Sequence, residues 1–191
     1  MGRLIELINK KYSTELTGSG FMMYEFKQIL KLKLNGLSSD GIKEKVFEEN
    51  IFQYKKKTSI KRAFPYLLKR VEVLDDELIR MAIDGDIRVA KTINLYSIMK
   101  TNQLFYEFMD EVVKELIKQP ESVLEKRVVN VSESTTKRLQ SAFVNVLLEV
   151  GILTDLKSRE IRRLIIDEQL KNHLIQIGDI KYLEAMGEYE R

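Results

Sequence analysis

Apolar residues recur along most of this chain at the three- and four-residue intervals of one helix face, and short polar breaks separate the runs. Met23, Phe26, Leu30 and Leu34 share a face, which predicts a helix from Ser19 or Gly20 to about Leu34, ended by Asn35-Gly36. Ser38, Ser39 and Asp40 offer capping oxygens to a second helix that buries Ile42, Val46 and Phe47 before Asn50. A third starts at Thr58 or Ser59. Its apolar positions Ile60, Phe64, Leu67, Leu68 and Val71 leave Thr58, Lys61, Arg62 and Lys69 on the opposite side. Pro65 lies within this pattern, and its missing N–H predicts a bend rather than a stop.

Further on, Asp75 caps a short helix through Ile83, ended by Gly85, and another covers about Ile87 to Lys100. Val89, Ala90, Ile93, Leu95, Ile98 and Met99 surround much of this helix, which places it centrally in the core. Asn102 to Lys118 is the clearest amphipath, and its stripe of Phe105, Phe108, Met109, Val112 and Leu116 reads as core. Pro120 marks a boundary between an N-terminal helical lobe, 1–119, and a C-terminal lobe, 120–191. After a short helical segment around Ser122 to Val128, Ser132 or Ser134 caps a long helix reaching Val150 and closed by Gly151. Leu139, Phe143, Val146, Leu147 and Val150 pack inward, whereas Ser134, Lys137, Arg138, Ser141 and Asn145 form a polar stripe without acids. Ile161 to Ile166 is β-branched enough for a short strand, and a helix followed by a basic strand predicts a winged-helix-like unit. Short helices over about Glu168 to Ile175 and Asp179 to Met186 finish the chain. The predicted class is all-α, with a small winged-helix-like β element near the C-terminus.

Charge changes the picture locally. The chain carries only +3 over 191 residues, yet Lys55, Lys56, Lys57, Lys61, Arg62, Lys69 and Arg70 lie between Ile51 and Val71 without one Asp or Glu. The acids follow at once, as Glu72, Asp75, Asp76, Glu77, Asp84 and Asp86. Gathering like charges costs self-repulsion, so a segregated patch points to a partner that supplies the counter-charge. Cysteine is absent, which fits a reducing compartment and excludes thiol catalysis, zinc knuckles and iron-sulfur ligation. The single histidine, His173, in a Lys- and Gln-rich segment, reads as a surface residue. The N-terminal run, interrupted by Glu6, is not a secretory signal, and no apolar stretch approaches the roughly 20 residues that span a bilayer. A soluble, cytoplasmic protein without a membrane partner is expected.

Asp75-Asp76, Asp84 with Asp86, and Glu48-Glu49 are the candidate metal carboxylates, but Asp75 and Asp76 stand where a helix needs a cap, and Asp84 and Asp86 flank a turn glycine. No metal, cofactor or catalytic residue is expected. Gly18-Ser19-Gly20 lacks the Lys and Ser or Thr of a phosphate loop and reads as a flexible helix entrance. Nucleic acid fits better. Phosphates are held by Lys, Arg, hydroxyls and helix N-terminal N–H groups, and Lys55, Lys56, Lys57, Thr58, Ser59, Lys61 and Arg62 supply all of these around one helix start, with Lys69 and Arg70 farther along. A groove-docking helix would place Thr135, Thr136, Lys137, Arg138 and Ser141 at bases or backbone, with Lys157, Arg159, Arg162 and Arg163 as a basic wing. Phenylalanines confined to apolar stripes favour duplex over single strand.

Several blocks in order carry a family resemblance: Tyr12-Ser13, Thr17-Gly18-Ser19-Gly20-Phe21-Met22, Val46-Phe47-Glu48-Glu49-Asn50-Ile51-Phe52-Gln53, and Thr58-Ser59-Ile60-Lys61-Arg62 with Leu68-Lys69-Arg70-Val71. Phe105-Tyr106-Glu107-Phe108 and Ser134-Thr135-Thr136-Lys137-Arg138-Leu139, running into Leu147-Leu148-Glu149-Val150-Gly151, continue the series. Over about Tyr12 to Tyr182 the chain resembles the BrxA family of bacterial BREX phage-exclusion systems. The resemblance implies a NusB-like, mostly helical fold with winged-helix character, double-stranded DNA as partner, membership of a multi-protein defence locus, and no catalytic residue. The rival readings are an RNA-binding protein of NusB type and an adaptor whose basic stripe docks on another BREX protein.

Overall fold

The computed structural model describes residues 16–118 and 133–188. The N-terminal run, the Pro120 boundary, the helix expected over Ser122 to Val128 and the Ser132 cap lie outside these residues.

Helices follow one another from α1 (Leu16–Ser19) and α2 (Met23–Leu34) to α3 (Ser39–Glu48) and α4 (Lys57–Glu72). Next come α5 (Asp76–Asp84), α6 (Ile87–Thr101) and α7 (Gln103–Phe108), which continues through a π turn, Met109–Val113, into α8 (Lys114–Ile117). The helices α9 (Glu133–Val150), α10 (Glu168–Gln176) and α11 (Ile180–Ala185) complete the described chain. The caps at Ser38 and Asp75 are the expected ones, and Asp86 and Asn102 add two more. Ser38 accepts from the N–H of Gly41, Asp75 from Leu78, Asp86 from Arg88 and Val89, and Asn102 from Phe105. Asp86 is held well below the usual carboxylate range, first by the Arg88 guanidinium and then by the Val89 N–H.

α6 is the axis of the core. From Thr92 to Met99 every residue is buried, including Asn94 and Ser97, and α2, α4, α5, α7, α9 and α11 all pack against it. A helix covered on all sides shows little amphipathic periodicity, which is why its sequence is apolar nearly all round. Around it Phe105, Phe108 and Phe143 stack with centroids 5.0 to 6.1 Å apart and join α7 to α9. α4 runs unbroken through Pro65. Pro65 and Lys61, whose carbonyl loses its helical donor there, are both exposed, so water can replace the missing bond.

Two expectations need correction. The helix predicted from Ser19 or Gly20 is broken: α1 ends at Ser19, Gly20 and Met22 adopt left-handed backbone with φ of 49° and 50°, and α2 starts only at Met23. At the break Phe21 turns its side chain into the core.

The winged-helix-like β element is also overturned, since the described residues hold no strand, only an isolated antiparallel bridge between Leu153 and Ile161. Asp155 closes the intervening loop by accepting from the N–H groups of Lys157 and Ser158 and from the Ser158 hydroxyl. The β-branched run after Ile161 finds no sheet to join, and Ile165 stands 87% exposed.

Candidate nucleic-acid interface

The short α1 helix and the loop after it are held from beneath by two buried polar side chains. Arg70, 3% exposed on α4, donates to the carbonyls of Gly20 at 2.9 Å and Phe21 at 3.2 Å and to Ser19 Oγ at 3.2 Å. Asn94, fully buried on α6, donates to the same Phe21 carbonyl at 2.7 Å. A buried guanidinium is tolerable only when hydrogen-bonded, so these bonds keep both the arginine inside and the loop fixed. Arg70 therefore leaves the list of candidate DNA contacts, because its charge is spent on this loop. Gly18-Ser19-Gly20 is correspondingly not a loose helix entrance but an anchored one.

A second turn sets the position of the lysines. Asn50 donates from Nδ2 to the Tyr54 carbonyl at 3.0 Å and accepts from the Tyr54 N–H at 3.1 Å. Asn50 and Gln53 both take left-handed backbone. The Tyr54 hydroxyl donates to Glu25 at 2.7 Å, so this carboxylate is engaged at the edge of the basic patch. Burial first, and then that bond, push the Tyr54 hydroxyl pKa up. The chain leaves this turn into Lys55 and Lys56, and α4 begins at Lys57 without a side-chain cap, its Ser59 N–H turning back to the Lys56 carbonyl at 3.0 Å.

Lys55, Lys56, Lys57, Thr58, Ser59, Lys61, Arg62 and Lys69 are all exposed. Among the described residues, none of Lys55, Lys56, Lys57, Lys61 and Arg62 lies within ion-pair distance of a carboxylate.

The anchored loop stands between two grooves. One, of about 510 Å³, runs beside the start of α4 and is lined by Gln53, Tyr54, Lys55, Lys56, Ser59 and Arg62 with Gly18 and Met22. The other, of about 530 Å³, faces α9 and presents Arg138, Ser141 and Asn145 beside residues Leu16 to Met22. Gly18 and Met22 border both, so two stretches far apart in sequence meet across one ridge. No Asp or Glu is among the described residues lining either groove. Thr135, Thr136 and Lys137 belong to the first turns of α9, but their side chains lie outside the described part.

Lys157, Arg159, Arg162 and Arg163 are placed elsewhere. They follow the C-terminal end of α9, and at about 1.5 Å per residue Arg138 and Gly151 stand roughly 20 Å apart along its axis. Arg163 pairs with Glu188 at 2.7 Å, and Arg162 approaches Glu160 at 4.0 Å. The loop between the grooves and Asn145 are the contributors that sequence reasoning left out of the site. Asn145 was visible at four-residue spacing from Ser141 on the same acid-free stripe. The loop had only its two glycines as a signal.

His173 is not a plain surface residue either. Its Nε2 lies 2.8 Å from Asp75 Oδ2, tying α10 to the cap of α5. Among the described residues, no group of three or more His, Cys, Asp or Glu could hold a metal ion, and no helix is long and apolar enough to cross a membrane.

Fold and site together define an all-helical protein with a cationic, acid-free pair of grooves around one anchored loop. The chain belongs to the BrxA family, whose model matches residues 10–129 and 121–178. A relative from Bacillus cereus named BREX protein BrxA is 32% identical over 92% of this chain and 96% of its own length. Another of that name, from Paramagnetospirillum magneticum, is 23% identical over 86% of this chain and 90% of its own. A crystal structure of an uncharacterized protein from Magnetospirillum magneticum superposes with a TM-score of 0.80, at 21% identity, covering 92% of this chain and 98% of that one. That likeness speaks to the fold alone.

Proposed function

We propose that this chain is a non-enzymatic, cytoplasmic component of a BREX phage-defence system that binds double-stranded DNA through phosphate contacts at the paired grooves. The observation that carries the reading is the meeting of Lys55, Lys56, Ser59 and Arg62 with Arg138, Ser141 and Asn145 across the Gly18–Met22 ridge. Cations and hydroxyls on two sides of one ridge are the residue types that hold a phosphate backbone, and exposed like charges without carboxylate partners gain when a polyanion supplies them. The name shared by the relatives supports the BREX assignment and makes other BREX proteins the natural protein partners. Binding rather than catalysis fits the carboxylates, because Asp75 and Asp86 are engaged as helix caps.

The test is fluorescence anisotropy on a short duplex across a salt series. If about five phosphates are neutralised, log K should fall against log salt with a slope of about −4.5, or roughly 500-fold between 50 and 200 mM. A slope near zero would overturn the reading.

A further inference from the structure

The run that follows the Leu153–Ile161 bridge keeps one property of a strand, its alternation. Leu164 and Ile166 lean on the core, whereas Arg163, Ile165 and Asp167 face solvent. At the bridge the Arg162 N–H reaches the Ile152 carbonyl at 2.7 Å and the Thr154 N–H the Glu160 carbonyl at 3.0 Å. Beyond Arg162 this ladder stops, and among the described residues no backbone N–H or C=O from Arg163 to Ile166 has a hydrogen-bond partner. The segment is nevertheless held in place. Arg163 donates to Glu188 at 2.7 Å, and Asp167 caps α10 through the N–H groups of Gln169 and Leu170. Beside this open backbone stand two large apolar side chains, Ile165 at 87% exposure and Leu156 at 61%.

We propose that residues 163–166 accept an extended strand from another protein, one that alternates acidic and apolar side chains. An open strand edge recruits such a segment because main-chain donors and acceptors are offered together. A phosphate backbone offers acceptors alone and would leave the carbonyls facing like charge, so duplex DNA does not complete this ladder. The charge around the edge sets the charge of the partner. Lys157 and Arg159 have no carboxylate in ion-pair reach among the described residues, and Glu160 is the one acid between Lys157 and Arg163. Asp155 is engaged by the N–H groups and hydroxyl of its own loop. A second copy of this chain would bring the same cations face to face, which is destabilising across a strand pair. An acidic strand meets them with opposite charge and covers Ile165. Because the edge is already in position, only the incoming strand has to be ordered.

The test uses the full chain, followed by NMR, and as probe a capped synthetic peptide of about eight residues that alternates Glu and Val. In the free protein the amides of Arg163 to Ile166 should exchange rapidly, and saturating peptide should slow every second one by at least about tenfold. Two further peptides, N-methylated at the Glu positions or at the Val positions, keep the side chains and each lose one row of donors. Only one of the two should lose affinity, by at least about tenfold. A peptide alternating Lys and Val should bind at least about tenfold more weakly than the acidic one. Ile165→Ser should weaken the acidic peptide about fivefold and leave the melting temperature and duplex affinity unchanged, since this side chain is exposed and lines neither groove.

Amides already protected in the free chain, equal behaviour of the two methylated peptides, or no protection by millimolar acidic peptide would overturn the proposal. Dimerisation of the wild type that Ile165→Ser abolishes would make a second copy the occupant instead. Displacement of the peptide by duplex DNA would return this edge to the nucleic-acid surface.

Discussion

At the start of α4, Lys55, Lys56, Lys57, Lys61 and Arg62 stand exposed beside an anchored loop, without a carboxylate in ion-pair reach among the described residues. Toward the C-terminus a comparable set of cations is already engaged. Arg163 and Lys171 converge on Glu188 at 2.7 and 2.9 Å, and Lys100 meets Asp179 at 2.5 Å. The Tyr96 hydroxyl donates to the same Asp179 carboxylate, and the Tyr96 ring lies edge-on to Tyr182. Burial first, and then Asp179, push the Tyr96 hydroxyl pKa up, so it remains a hydrogen-bond donor. Both regions read as basic in the sequence, yet Arg163 and Lys171 have a counter-charge built in, whereas Lys55 to Arg62, like Lys157 and Arg159, have no carboxylate in ion-pair reach among the described residues. A count of Lys and Arg is therefore a poor guide to a polyanion site, and the pairing of each cation is the better one.

The largest effect that would separate the regions is charge reversal at Lys56, Lys61 and Arg62 together. Duplex affinity should fall by at least about 100-fold, because three phosphate contacts become repulsions. The melting temperature should stay near that of the wild type, since exposed substitutions usually shift stability by about 0.5 kcal/mol or less each. Anisotropy and thermal denaturation read the two quantities. Retained affinity would return these lysines to ordinary solvated surface.

Asp179→Ala should act the other way round. It removes the acceptor of the Tyr96 hydroxyl and the counter-charge of the partly buried Lys100 ammonium, leaving only the bond between the two, and the loss of stability should be about 2 kcal/mol. Duplex affinity per folded molecule should not change. A loss of binding without loss of stability would place the C-terminal helices in the interface and erase the contrast.

A finer comparison sets one arginine from each region side by side. Arg138→Ala, at the groove beside α9, should weaken duplex binding about five- to tenfold, in line with the loss of one phosphate contact. Arg163→Ala should change it less than about twofold and lower stability by no more than about 1 kcal/mol, as expected for a half-exposed ion pair. Equal losses in anisotropy would show that the segment after α9 also touches DNA.

How much of this was legible in the sequence depended on the range of each interaction. The caps at Ser38 and Asp75 and the apolar face of α4 rest on residues a few positions apart, and they could be read directly. Arg70 could not be read from charge, although it lies seven residues after the buried Ala63 and so on much the same helix face. Its partners, Ser19, Gly20 and Phe21, are about fifty residues away in sequence, and nothing local announces them. The same holds for the meeting of α4 with α9 across the ridge and for the His173–Asp75 bond. The expected strand failed for the opposite reason. Ile161, Ile165 and Ile166 have the local preference, but Leu153 supplies only a single bridge, and a strand without a partner has no ladder to join.

The smallest expected effect is a pH dependence confined to the paired region. Burial opposes the charge of Glu188, but hydrogen bonds from Lys171 and Arg163 more than offset it and hold its carboxyl below the usual glutamate range. A carboxylate with a depressed folded-state pKa contributes stability that is fully present above its unfolded value, near about 4.3, and lost as pH falls through the folded value. Acid denaturation followed from pH 6 to pH 3 should therefore be steeper for the wild type than for Glu188→Gln. The two curves should differ by no more than about 1 kcal/mol at pH 6 and draw together toward the acid end as the wild-type carboxyl takes up its proton. Duplex affinity of the folded protein should not separate the two proteins between pH 6 and 8, because Glu188 lines neither groove. Parallel acid curves would mean that Glu188 contributes no charge-dependent stability, and the region around it would then differ from the grooves in geometry alone.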